Sequence, residues 1–211
     1  MLKKLTVSEF TKALESKKPT PGGGAASALS FSLASSLLAM VLNLTIGHKC
    51  SKDYSPEVIK QLKGARDQAK EARLKAIDLM EADAYSYSSY LKAFKMPKET
   101  LEEKEKRKKE IEFFKKETLR VPYDIATEAF KLYEPLKLAV KYGNKNAISD
   151  GAVSAMMLHA AIEGAAFNVF INLPRKNLNL SQIELKNEIS SLILKSDQEK
   201  NSISHEVREA L

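Results

Sequence analysis

Apolar residues recur at helical spacing along almost the whole chain, and no run of alternating β-branched residues with hairpin turn chemistry interrupts them. The pattern predicts an all-α fold, a multihelical bundle with no sheet. Thr6-Val7-Ser8-Glu9 has the form of a capping box, with Thr6 as N-cap and Glu9 reaching back, and predicts a short helix to about Lys17. Pro19-Thr20-Pro21-Gly22-Gly23-Gly24 breaks it. From Ala25 to Ile46 no residue is charged and Ala, Ser and Leu dominate, which suits a central helix that its neighbours approach closely. Ser55-Pro56-Glu57 starts the next helix, with Pro56 at the favoured first position, and the pattern runs to about Phe94. Thr100-Leu101-Glu102-Glu103 is a second capping box. Pro122 and Pro135 are expected to kink or break that helix, and Gly143 to end it. A small-residue helix follows from about Ser149 to Ile171, stopped by Pro174. Ser181-Gln182-Ile183-Glu184 reads as a third capping box and predicts the start of the C-terminal helix.

Composition narrows the class. The chain has 211 residues, 44% of them hydrophobic, enough for one helical domain over 1–211 with a buried core. A single cysteine, Cys50, excludes a disulfide framework, and His48, His159 and His205 lie too far apart for a compact zinc motif. The expectation is a reduced, cytoplasmic-type protein without a structural metal. Ala25–Ile46 is long enough to span a bilayer, but its five serines and Asn43 make a poor insertion sequence, so a buried bundle helix is expected and no membrane partner. Nor is it a signal peptide, because Glu9 and Glu15 precede it.

With 34 Lys+Arg against 27 Asp+Glu, the net charge is +7. Nucleic acid, an anionic surface and a polyanionic small molecule are all compatible with that balance. Much of it sits in Lys104–Lys116, where glutamates are interleaved, and this reads as the solvated face of a helix. No aromatic residue alternates with the charges from Leu101 to Ile111, as a single-strand stacking surface needs. No nucleic acid is expected.

Three stretches could carry chemistry. Gly22, Gly23 and Gly24 open a helix, where free amides and the helix dipole suit an anion; a tight turn into the core explains them equally well. Gly143-Asn144 and Ser149-Asp150-Gly151 form a polar helix start. At 100° per residue Asp150, Ser154, Asn168 and Asn172 then fall within a roughly 40° sector of an otherwise apolar helix. They spread over about 33 Å, so one small ligand cannot reach all four from a single chain. A ligand, another helix or a second subunit must satisfy them. His159 and Glu163, on the opposite face, form an i,i+4 pair better explained by an internal hydrogen bond than by a metal. Glu81 and Asp83, two residues apart, point to different faces; a buried one could act as an acid/base or bind the amidine-like edge of a heterocycle, and an exposed acidic turn is the alternative.

Taken together, Pro19-Thr20-Pro21-Gly22-Gly23-Gly24-Ala25-Ala26, Glu81-Ala82-Asp83-Ala84, Val121-Pro122, Gly143-Asn144, Ser149-Asp150-Gly151 and Gly164-Ala165-Ala166-Phe167-Asn168-Val169-Phe170-Ile171-Asn172-Leu173 resemble the formimidoyltetrahydrofolate cyclodeaminase / methenyltetrahydrofolate cyclohydrolase family in order and spacing. Departures are Glu81 where aspartate is common and His48 where lysine is common. The resemblance implies an all-helical homodimer without the formiminotransferase domain of bifunctional members. It implies a reduced folate, mono- or polyglutamylated, as substrate, with no further cofactor and no metal. Asp83 and Asp150 become the candidates for proton transfer and pterin recognition, in either assignment. Gly22, Gly23 and Gly24 would offer backbone amides, and Asn144, Ser149 and Asn168 side chains for substrate binding. The rival reading is a non-catalytic helical binding or scaffold protein that keeps the fold.

Overall fold

The computed structural model describes residues 1–211 as seven α-helices joined by short loops and 3-10 turns, with no strand. They are α1 (Val7–Leu14), α2 (Gly23–Asn43), α3 (Pro56–Ala93), α4 (Leu101–Phe130), α5 (Tyr133–Tyr142), α6 (Ile148–Asn172) and α7 (Leu180–Ala210). The expected all-α class is what forms. Thr6 and Thr100 cap α1 and α4 through full capping boxes with Glu9 and Glu103, and Ser55 caps α3 ahead of Pro56. The third box lies two residues earlier than expected. Asn179 is the N-cap of α7 and Gln182 its reciprocal partner, leaving Ser181 inside the first turn, where its hydroxyl donates to the Asn179 side chain.

α2 is the centre of the bundle. It packs against α3 on one side and α6 on the other, and α4 and α7 close around α6. Its small residues permit this approach: Ser27, Ser35 and Ser36 return their hydroxyls to carbonyls one turn earlier, so the helix buries them without unpaired donors. Ser30 donates to the Met157 carbonyl, and Ser154 of α6 donates to that of Ala34, so the two helices run antiparallel. Phe31, Leu38 and Leu42 are fully buried, each worth about 1.5–3 kcal/mol relative to exposure. By length and composition α2 and α6 could each cross a membrane, yet most of α2 lies inside the protein core.

Pro122 does not break α4, contrary to expectation; the helix runs on to Phe130. A proline at position 122 cannot donate to the carbonyl of Thr118 four residues back. Asn172, at the end of α6, supplies the missing donor through Nδ2 at 2.9 Å. The break falls instead at Lys131–Leu132, four residues before Pro135, whose ring conflicts with a helical carbonyl at that distance. α5 then ends at Gly143.

Buried polar groups join the later helices. Tyr133 of α5 is fully buried, and its hydroxyl meets the Ser196 hydroxyl of α7 at 2.9 Å. His159 Nδ1 lies 3.0 Å from the same Ser196 oxygen, while its Nε2 lies 3.6 Å from Glu163 and 3.8 Å from Asp197. His159 is thus held by side chains of α6 and α7. The charged first half of α4 is solvated: Lys104, Lys106, Lys108 and Lys109 are all exposed, and Arg107 lies over the ring of Phe94.

Candidate active site around Asp83

A cavity of about 260 Å³ opens where the start of α2, the middle of α3, the second half of α4 and the end of α6 converge. Gly22, Gly23 and Gly24 form one wall, Asp83, Ser86 and Tyr87 of α3 a second, and Thr118, Asn168, Ile171 and Asn172 a third, with Pro19 and Thr20 at the loop. Asp83 is the only charged group in this lining.

The glycines are explained by what they face. A Cβ on Gly24 would collide with the carboxylate of Asp83, so a glycine is required for α3 to bring that side chain to the first turn of α2. A Cβ on Gly23 would lie 3.3 Å from Asn168 Nδ2, tight but adjustable. The backbone amide of Ala25 donates to the Asp83 carboxylate, so part of the anion-attracting helix start is already spent on the protein's own acid. Burial outweighs that hydrogen bond and pushes the Asp83 carboxyl up to about 6. An acid that titrates there can give or take a proton at neutral pH.

The amide side chains are partly committed. Asn168 donates from Nδ2 to the Gly164 carbonyl, one turn earlier, which leaves its oxygen as the uncommitted acceptor beside Gly23. Asn172 spends Nδ2 on Thr118. Glu81, the neighbour of Asp83 in sequence, faces elsewhere and accepts from the Lys3 amide at 2.7 Å. His48 is exposed in the turn after α2, away from the cavity.

The predicted site residues thus divide. Gly22, Gly23, Gly24, Asp83 and Asn168 come together. Asn144, Ser149 and Asp150 do not join them: they sit at the opposite end of α6, Asp150 about 27 Å along the helix from Asn168. There Asn144 binds the end of α2, accepting nothing from outside: its amide donates to Thr45 Oγ1 and its side chain to the Leu44 carbonyl. Ser149 is exposed and Asp150 half-buried in the first turn of α6. Ser86, Tyr87 and Thr118 were not among the expected residues. Thr118 had a signal in Pro122, which frees its carbonyl; Ser86 and Tyr87 had only their nearness to Asp83.

The family model described as formiminotransferase-cyclodeaminase matches residues 6–190, nearly the whole chain and every residue of this cavity. The chain belongs to the formiminotransferase-cyclodeaminase family. It is 32% identical over 187 residues to formimidoyltransferase-cyclodeaminase of Gallus gallus, covering 87% of this chain and 32% of that protein. It is also 32% identical over 167 residues to methenyltetrahydrofolate cyclohydrolase of Methylorubrum extorquens, covering 79% of this chain and 78% of that one. Among solved structures, formiminotetrahydrofolate cyclodeaminase of Thermotoga maritima superposes with a TM-score of 0.76 at 26% identity, over 100% of this chain and 98% of that one. The chain spans about a third of the length of the bifunctional relatives it matches.

Proposed function

We propose that the protein is a folate enzyme acting at the N5–C–N10 bridge of tetrahydrofolate. Two reactions share that carbon. Ring closure of 5-formimidoyltetrahydrofolate releases ammonia, and hydrolysis of 5,10-methenyltetrahydrofolate gives 10-formyltetrahydrofolate. The observation that carries the reading is Asp83, a carboxyl titrating near 6 in a cavity otherwise lined by neutral groups, in a chain of this family.

In ring closure, N10 attacks the amidinium carbon and its proton passes to Asp83. The same proton then goes to the amino group of the tetrahedral adduct, the C–N bond breaks, and ammonia leaves the methenyl cation behind. In hydrolysis, water adds to the methenyl carbon and loses a proton to Asp83. That proton is returned to N5 as the C–N5 bond breaks, and the hydroxyl proton is released with formation of the formyl carbonyl. In both cases the carbon is already an electrophilic cation, so the barrier lies in moving one proton between neighbouring nitrogens or oxygen. A positioned acid/base contributes typically about 10²–10⁴-fold to such a step. Asn168 and the glycine wall fix the heterocycle beside the acid, and Tyr87 offers aromatic surface at the rim. Lys115 and Lys116, exposed within one turn of Thr118, suit the carboxylates of a glutamyl tail.

The test supplies 5-formimidoyl- and 5,10-methenyltetrahydrofolate separately and follows methenyl absorbance and ammonia. Turnover of either, lost in Asp83→Asn, supports the proposal. Binding of both folates without turnover supports the non-catalytic reading instead.

A further inference from the structure

α6 carries a stripe that nothing in one chain covers. Val153, Met156, Phe167 and Ile171 are 43%, 48%, 61% and 73% exposed, on a helix whose other faces are buried by α2, α4 and α7. The stripe is symmetric about Ala160, itself exposed. Met156 and Gly164 lie four residues to either side of it, Val153 and Phe167 seven, Ser149 and Ile171 eleven. A helix packed antiparallel on its own copy about that point sets small against large at each level: Gly164 against Met156, Val153 against Phe167, with Ala160 at the closest approach. Such self-complementarity is what a two-fold interface requires. A bilayer would ask for no such order, and Ser149, Asp150 and Glu163 along the same helix suit it poorly.

The same operation solves the divided site. The cavity is bounded by Ile171, at one end of the stripe, and its volume falls just short of the roughly 300–1,000 Å³ of a small-molecule site. Antiparallel pairing about Ala160 brings position 150 level with position 170 of the other helix, between Asn168 and Asn172. We propose that a second copy of this chain packs on α6 about a two-fold axis at Ala160, so that each folate site combines Asp83 of one subunit with Asp150 of the partner subunit. The inference rests on the folate reading for its ligand, not for its geometry. A carboxylate there meets the two adjacent donors of a pterin, N3–H and the 2-amino group, with two parallel hydrogen bonds. Asp150 of the partner subunit anchors the heterocycle, and Asp83 moves the proton.

Two experiments test it. In the first, which needs no activity, Ala160→Cys and Ser149→Cys/Ile171→Cys are made separately in a Cys50→Ser background and oxidised at micromolar concentration. Both are expected to give disulfide-linked dimers, since facing positions of close-packed helices fall within the roughly 4.4–6.8 Å Cα separation that a disulfide spans. A wild-type monomer, co-sedimentation of that monomer with phosphatidylcholine vesicles, or a dimer linked at neither pair would overturn the proposal. In the second, Asp83→Asn and Asp150→Asn are co-expressed. Random pairing makes half of the dimers mixed, each with one intact site, so kcat/KM per subunit should return to about a quarter of wild type from two nearly inactive parents. No recovery, or an Asp150→Asn enzyme with unchanged KM, sinks the shared site. If the wild type turns over neither folate while both disulfides form, the folate reading fails and the interface stands.

Discussion

At the scale of single residues, the site is one carboxyl and the glycine that admits it. Asp83 is held against the start of α2, and burial raises its pKa to about 6 from an ordinary value of 3.8. The sign of the linkage follows. The folded state binds this proton more tightly than the unfolded one, so the contribution to stability is greatest below about 4. It declines as pH rises to about 6 and is flat above. Asp83→Asn should therefore raise the melting temperature at pH 8 and change it little at pH 4, while reducing kcat by about 10²-fold or more. A thermal melt at both pH values with a rate assay on each folate checks this; equal melting shifts at the two pH values would remove the burial penalty. In the wild type, kcat/KM should rise with pH through about 6, because the first proton transfer needs the carboxylate. Gly24→Ala should cost more activity than Gly23→Ala, since its Cβ meets the Asp83 carboxylate whereas that of Gly23 meets a movable amide 3.3 Å away. Comparable rates for the two variants would show that the close approach is not needed. The triple glycine was visible in the sequence as a loop for a ligand or a turn. That its neighbour is the protein's own acid was not, because 59 residues separate Gly24 from Asp83 and only the packing of α2 on α3 joins them.

At the scale of elements, local chemistry was legible wherever it was self-contained. Thr6 and Thr100 carry their partners three residues on, so their caps needed no tertiary knowledge. Ser181 misled because Asn179 offers the same chemistry two residues earlier, with Gln182 in the matching place. Asn179→Ala should cost about 1 kcal/mol in denaturant unfolding and Ser181→Ala much less. Pro122 shows the other limit. The residue implies an orphan carbonyl at Thr118, but only the fold reveals that Asn172 answers it from 54 residues away. Asn172→Ala should destabilise the protein by about 1–3 kcal/mol, the usual penalty for a buried acceptor left without a donor. In a Pro122→Ala background, where the backbone can close its own hydrogen bond, the same substitution should cost less. Equal costs in the two backgrounds, measured as a double-mutant cycle, would show that α4 does not depend on that amide.

At the scale of the whole molecule, the distribution of apolar surface and the distribution of site residues raise the same question. Helical periodicity made the all-α class readable, because small uncharged helices such as α2 and α6 have few other ways to be buried. The sequence also placed Asp150 and Asn168 on one sector of α6, and geometry separates them by about 27 Å. A site that needs both must therefore use two chains, and its activity must depend on their association. Phe167 is the substitution that tests this. It is largely exposed and outside the cavity lining, so a change there disturbs neither Asp83 nor the core. Phe167→Asp would place a charge against Val153 of the partner subunit, an arrangement that costs several kcal/mol when desolvated. The variant should stay helical, with a melting temperature close to that of the separated chains, yet have the 23.5 kDa mass of one chain in light scattering and little turnover. The wild type should instead have twice that mass at micromolar concentration, and its activity per chain should fall on dilution below the dissociation constant. Activity per chain that is constant on dilution, together with a fully active Phe167→Asp monomer, would show that one chain holds a complete site.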